Sequence, residues 1–377
     1  MCCPIKAVVY RHGEFKVMEI SDLHPNQDQM VVEPLAVGIC GSDLSAVEHT
    51  EDFLDSVRKA GSTGQIFDPD KDLVLGHEFT AKVVEVGENV TDYAPGDLIV
   101  VLPWVIGDNG ILYTVGYSND YPGGLAERVL VGNGGHFKIP DGINPCHAAV
   151  TEPLAAGYNS VIRADITTQG GALVTGAGTV GLGAVIALAS RGIYPIVVSD
   201  PSAKRRETAV KYGAHVVVNP VEENPVEVYQ QVASDQQRMY VFEASGVKNL
   251  IYNMVDSVPH YTKFLVVGAS MEDNLIRPAV LINKNITLEF ITGPGYGETS
   301  YVALSETFND LKEGKFDPAE IITAYAGFGG VGKAFAALRP GSDQKIEQVK
   351  ILILPFLNGE GLYAAEQVDL PRNNEVY

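Results

Sequence analysis

Apolar and polar positions change their rhythm once along this chain. From residue 5 to about 131 the apolar residues come in short, often alternating runs: Ala7-Val8-Val9-Tyr10, Met30-Val31-Val32-Glu33, and further segments over 79–86, 98–102 and 125–131. Gly, Pro, Asn and Asp separate them, which predicts the short strands of a distorted barrel and not alternating strand–helix units. Phe53, Leu54 and Val57 instead fall on one face of a short helix inside the polar stretch 48–72. Near residue 156 the rhythm becomes strand, helix, strand. Apolar runs at 172–175, 196–199, 215–218, 240–243, 264–267 and 286–290 alternate with helical segments, the signature of a parallel, doubly wound sheet. Beyond Gly293 the pattern turns irregular, with an amphipathic helix near 305–313 and strands over 348–354. The fold class is α/β, a β-rich domain joined to a doubly wound one. Neither an internal repeat nor a low-complexity tract interrupts it.

Two clusters of residues add chemistry to this outline. Leu173-Val174-Thr175-Gly176-Ala177-Gly178-Thr179-Val180-Gly181 is an apolar strand entering a Gly-x-Gly-x-x-Gly turn, with a small-residue helix after it. Gly176 suits the tight turn, Gly178 the close approach of a pyrophosphate, and Gly181 the contact between helix and strand. Thr179 and Val180 open the helix, whose N-terminal N–H groups favour phosphate. Asp200 closes the next strand at about the ~20-residue spacing expected of a ribose-binding acid. Its carboxylate favours NAD over NADP, although Lys204, Arg205 and Arg206 follow closely and could meet a 2′-phosphate. Ser245 and Gly268 end later strands on the same sheet edge and are expected beside the nicotinamide.

The second cluster gathers Cys40-Gly41-Ser42-Asp43, Gly76-His77-Glu78 and Glu152-Pro153-Leu154. One thiolate, one imidazole and one carboxylate are what a catalytic zinc takes from a protein, leaving its fourth position open. Taken singly, Cys40 could be a buried free thiol, His77 structural, and Glu152 an acid at a helix start before proline. A hydride acceptor and a Lewis acid in one chain point to alcohol oxidation.

With Gly87-Glu88-Asn89-Val90, Gly96-Asp97 and Gly123-Gly124-Leu125-Ala126-Glu127 falling in the same order, the chain resembles the zinc-dependent medium-chain dehydrogenase/reductase family, of the alcohol and polyol dehydrogenase type, over nearly its whole length. The resemblance implies a GroES-like catalytic barrel over 1–155, an NAD-binding Rossmann domain over 156–293, and a return to the catalytic domain over 294–377, with the active site in the cleft between. It implies Cys40 and His77 as zinc ligands and Glu152 as the third, a carboxylate as in polyol dehydrogenases. Glu78 would stand beside the metal or bind it transiently, Asp43 would orient the imidazole, and Ser42 would pass the alcohol proton outward. The histidine that often continues this relay is replaced by Ser45, leaving water, the ribose or His49.

Two departures from the family stand out. Many relatives hold a structural zinc with four cysteines in a lobe that corresponds to 97–145, yet that stretch contains none. A single zinc per chain is expected. The interval from Cys40 to His77 is longer than usual, the surplus lying in 48–72, which could shape the substrate entrance, form a subunit contact, or be a solvated excursion.

Composition narrows the field without naming a substrate. At 377 residues the chain is long enough for two cores, and 46% hydrophobic with 20% charged residues is ordinary for a globular enzyme. A formal charge of −20 argues against nucleic acid and anionic membranes. No apolar stretch reaches the length of a membrane span, and the four cysteines form no disulfide framework, so a cytoplasmic protein is expected. The family implies a homo-oligomer, dimer or tetramer, acting on a small alcohol/ketone pair. Trp104, Tyr121 and Pro294-Gly295-Tyr296 suggest aromatic surface near the cleft and hence a bulky or cyclic secondary alcohol. A sugar or polyol dehydrogenase, and a zinc-free quinone or enoyl reductase on the same fold, are the alternatives, with a noncatalytic protein on this scaffold as a third class.

Overall fold

The computed structural model describes residues 4–234, 237–293, 297–339, 342 and 348–371. The chain forms two compact units, Met1–Glu152 with Ile322–Tyr377, and Pro153–Ile321.

In the first unit nine strands precede the crossing: β1 (Ile5–Arg11), β2 (Glu14–Ile20), β3 (Gln29–Gly38), β4 (Glu78–Val86), β5 (Leu98–Val100), β6 (Trp104–Ile106), β7 (Leu112–Thr114), β8 (Val129–Gly132) and β9 (Phe137–Lys138). The six strands β10 (Gly170–Thr175), β11 (Ile196–Ser199), β12 (Val216–Val218), β13 (Arg238–Glu243), β14 (Lys263–Val266) and β15 (Thr287–Phe290) belong to the second unit, after which β16 (Ile322–Ala326), β17 (Lys350–Ile353) and β18 (Leu362–Ala364) return to the first. Their sheet runs β18-β16-β17-β3-β4-β5-β9, with β8 paired to β3. β3 lies in its middle and is buried along almost its whole length. Its end is where the chemistry collects. Gly38 stands opposite Glu78 on β4 and opposite Leu352 on β17, so the strand pairing alone brings the Cys40 loop, His77-Glu78 and the returning tail together.

Helices α1 (Gly41–Glu48) and α2 (Thr50–Lys59) follow β3 directly. The amphipathic spacing read in 48–72 is realised in α2, which buries Phe53, Leu54 and Val57. Gly64 O accepts from Thr114 N–H, and the Asn119 side chain bonds both Asp68 and Asp72, so the insertion is fastened to 112–121 and is more than a solvated excursion. After α3 (Pro145–Ala148), the chain passes from one unit to the other within α4 (Thr151–Ala164).

The second unit's sheet is parallel throughout, in the order β12-β11-β10-β13-β14-β15. β10 is buried at every position, as a strand covered on both faces must be, and Leu173, Val197, Val241 and Phe264 are fully enclosed. Removing each such side chain from water is worth about 1.5–3 kcal/mol. The doubly wound expectation therefore holds. Strand order reverses at β10, whose carboxyl end leads into Gly176 and α5 (Thr179–Ser190), the place where such sheets take ligands.

The units divide at Glu152 and Ile322, where the sequence reading set 155 and 294. The later return has a physical reason in the helix Glu298–Lys312. It buries Ala303, Leu304, Phe308 and Leu311, and its Asp310 accepts hydrogen bonds from Tyr158 Oη at 2.8 Å and Ser190 Oγ at 3.1 Å, both in the second unit. Among the described residues no helix is long and apolar enough to cross a membrane.

Candidate active site

Cys40 caps α1 from an extended conformation, and His77 enters β4 from Gly76, whose φ of +102° favours glycine. Donor atoms of Cys40, His77 and Glu78 all lie within 4.8 Å of one another. Zinc ligands sit about 2.0–2.3 Å from the ion, so donors sharing one centre are at most about 4.6 Å apart. The sulfur, nitrogen and oxygen set is thus nearly the right size, and its chemistry fits zinc.

Glu152 stands outside this tight trio. It is buried in the first turn of α4, and burial first, then the charge of Glu78, pushes its pKa up to about 8. The same two influences raise the Cys40 thiol. Cys40, Glu78 and Glu152 act as potential anions on buried Lys350, a crowding of negative charge that a divalent ion would relieve. Burial disfavours charge on Lys350, but Glu78 and Cys40 outweigh it and its pKa is raised. Its ammonium donates to Glu78 Oε2 at 2.5 Å and to Ile39 O at 2.9 Å. Removing either partner of such a pair would strand the other at a cost of about 3–5 kcal/mol.

Asp43 is almost fully enclosed. One carboxylate oxygen accepts from Cys40 N–H at 3.0 Å, while the other lies 3.2 Å from His77 Nδ1 and 3.2 Å from Tyr117 Oη. The contact with His77 is close but poorly aligned for a hydrogen bond. Burial opposes charge on His77, yet Asp43 and Cys40 together raise its pKa well above the usual value. Tyr117 is held at 2.8 Å from Ser42 Oγ and its ring lies 5.1 Å from that of His77. Burial, followed by Asp43, raises its pKa well above that of free tyrosine, so it is an O–H donor.

At the nucleotide turn, a Cβ on Gly176 would meet Ser245 Cα at 2.9 Å, and one on Gly181 would collide with Gly176 O. A Cβ on Gly178 would meet nothing within 4 Å, which leaves the open cradle a pyrophosphate needs. Asp200 is buried; its two oxygens accept from Ala177 N–H and Ser202 N–H, each at 2.8 Å. Arg205 approaches it at 3.9 Å, Arg206 donates to the carbonyls of Asp200 and Pro201, and Lys204 is exposed. Thr179 is buried at the start of α5 beside Val180. Ser245 and Gly268 are brought together by Glu243, whose Oε1 accepts from Ser245 N–H, Ser245 Oγ and Gly246 N–H. Gly268 leaves no room for a side chain there, since a Cβ would reach 2.7 Å from Glu243 Oε2.

Residues 26–141 match the model of the alcohol dehydrogenase GroES-like domain and residues 179–309 that of zinc-binding dehydrogenases. Sorbitol dehydrogenase of Gallus gallus is 30% identical over 281 residues, 71% of this chain and 76% of its own. The chain belongs to the zinc-dependent medium-chain dehydrogenase/reductase family. L-Threonine 3-dehydrogenase of Thermococcus kodakarensis is 29% identical over 88% of this dehydrogenase and 93% of its own length. The crystal structure of 2R,3R-butanediol dehydrogenase from Bacillus subtilis superposes with a TM-score of 0.75 at 25% identity, covering 93% of this chain and 99% of that one.

In this dehydrogenase, several expected aromatic residues have other work. The Trp104 ring presses on Gly132 and its Nε1 donates to Gly134 O, while Tyr121 stacks on Tyr113 at 4.7 Å. Both pack locally in the first unit, which removes them as support for a bulky substrate. Pro294-Gly295-Tyr296 lies outside the described residues. Tyr117, Lys350 and Glu243 were not singled out in the sequence. No motif surrounds the first two, and Glu243 reads as the polar end of an apolar strand.

Proposed function

We propose that this dehydrogenase transfers a hydride between a secondary alcohol/ketone pair and NAD, with Cys40, His77 and Glu152 holding one catalytic zinc and Glu78 beside it. The convergence of Cys40, His77 and Glu78 within 4.8 Å carries the metal site, and buried Glu152, close enough for the charges of Glu78 and His77 to act on it, supports the third ligand. When bound, zinc supplies a Lewis acid that lowers the pKa of an alcohol oxygen. The chain's own residues do the rest: Asp43 lies against the imidazole and holds the Cys40 N–H, Ser42 accepts a hydrogen bond from the alcohol O–H, Lys350 holds Glu78, and the Gly178 cradle with Asp200 seats the dinucleotide. A polyol or diol is the substrate reading that the sorbitol and butanediol dehydrogenases among the relatives favour, and a bulky or cyclic secondary alcohol, now without its aromatic support, is the second. Exposed Leu275, Ile276, Ile282 and Phe290 around the edge strand β15 support a homo-oligomer, and we place it in the cytoplasm.

Elemental analysis with a screen of cyclic alcohols, diols and polyols, followed by absorbance of the reduced cofactor, tests this. One zinc per chain and chelator-sensitive NADH formation are expected. Cys40→Ala should abolish both and still bind NAD. Two tightly held zinc ions per chain, or undiminished turnover by metal-free Cys40→Ala protein, would overturn the reading.

A further inference from the structure

The Ser42 hydroxyl can serve an alcohol in one direction only if a fixed partner orients it, and a buried hydroxyl lies 2.8 Å from its Oγ. We propose that Tyr117 is that partner, a positioning residue that orients Ser42 and Asp43 at once; the inference rests on the function proposed above. Its hydroxyl has one proton and two neighbours, Ser42 Oγ at 2.8 Å and Asp43 Oδ1 at 3.2 Å. A carboxylate only accepts, so the Tyr117 O–H donates to Asp43 and the Ser42 O–H donates to Tyr117. That polarity turns the Ser42 lone pairs outward. Ser42 is thereby left as an acceptor for an alcohol proton.

Three features hold Tyr117 in place. Gly116, with φ +92°, sets the chain direction, and a Cβ there would meet Gly76 O at 3.1 Å, so the backbone before Tyr117 rests on the backbone before His77. The Tyr117 ring lies 5.1 Å from that of His77 and 5.3 Å from that of Phe53 in α2. Phe53 in turn lies 6.1 Å from Phe67, so the 48–72 insertion backs the tyrosine through Phe53.

Tyr117→Phe keeps the ring and removes only the hydroxyl. We expect kcat to fall about tenfold with KM within about twofold, the loss of one oriented charge-assisted hydrogen bond. Ser42→Ala should fall similarly, and the double variant should be no slower than the slower single, because the two act in one chain of bonds. Zinc loss to a chelator should quicken in Tyr117→Phe but not in Ser42→Ala, since only Tyr117 also holds Asp43. A Tyr117→Phe enzyme with unchanged kcat and unchanged zinc loss, or fully additive losses in the double variant, would overturn the inference. An inactive wild type would instead count against the proposed function.

Discussion

Asp200 accepts from Ala177 N–H and Ser202 N–H, so the carboxylate expected to meet the ribose also fixes the turn that meets the phosphates. Replacing it therefore has two effects of different kinds. Asp200→Ser should remove repulsion of a 2′-phosphate and shift the ratio of kcat/KM for NADP over NAD upward by about a hundredfold, roughly 2.7 kcal/mol. It should also weaken NAD binding, because Ala177 N–H loses its acceptor. Arg205 is the cation placed to exploit the change, whereas Arg206 is spent on backbone carbonyls. An unchanged ratio in steady-state assays would remove Asp200 as the selector. At this scale the sequence was readable wherever short-range spacing carries the chemistry, as in Gly176 to Gly181 and Cys40 to Asp43. Lys350 was unreadable because a lysine opening an apolar strand looks like an edge residue, and only the pairing of β17 with β3 turns it toward Glu78.

Among the elements, α4 and α5 touch backbone to backbone. A Cβ on Gly157 would collide with Val180 O and Ala184 N, and one on Gly183 with Leu154 O. Neither glycine was singled out in the sequence, since isolated glycines in a helix read as mere weakness. Here they let α5 lie close enough for its first turn to stay under Gly176. Gly157→Ala or Gly183→Ala should destabilise the second unit by about 1–3 kcal/mol through overpacking, and displace the start of α5 enough to weaken NAD binding. Thermal unfolding and cofactor titration measure both, and unchanged values in the two variants would show that the helices part at little cost. The periodic strands were legible because burial on both faces leaves continuous apolar runs. The hairpin β6–β7 was not, its strands being only three residues long each, and neither was the pair β16–β18, whose members lie far apart in the chain.

For the molecule as a whole, pH sets two opposing tendencies. A formal charge of −20 means that mild acid should relieve self-repulsion. Buried His136 works the other way. Its Nδ1 accepts from Leu102 N–H and its Nε2 donates to Gly132 O, so a second ring proton would point one donor at another. Burial, against a smaller opposing influence of the Gly132 carbonyl, lowers its pKa to about 4. The unfolded chain would bind the proton near pH 6.5, so the native state keeps its full margin above that pH and loses it as pH falls toward 4, by about 3 kcal/mol in total. Urea midpoints at pH 7 and 5 should fall more for the wild type than for His136→Gln, and equal slopes would absolve this histidine.

The segment around His136 is tied by Tyr93, Trp104 and the imidazole itself, without the cysteines that many relatives commit to a second zinc. Stripping the protein of metal should consequently subtract chemistry and spare architecture. With the single zinc proposed at Cys40, a refillable apoprotein would accept cobalt at one address, and the visible absorption of that ion would then report the ligand field there.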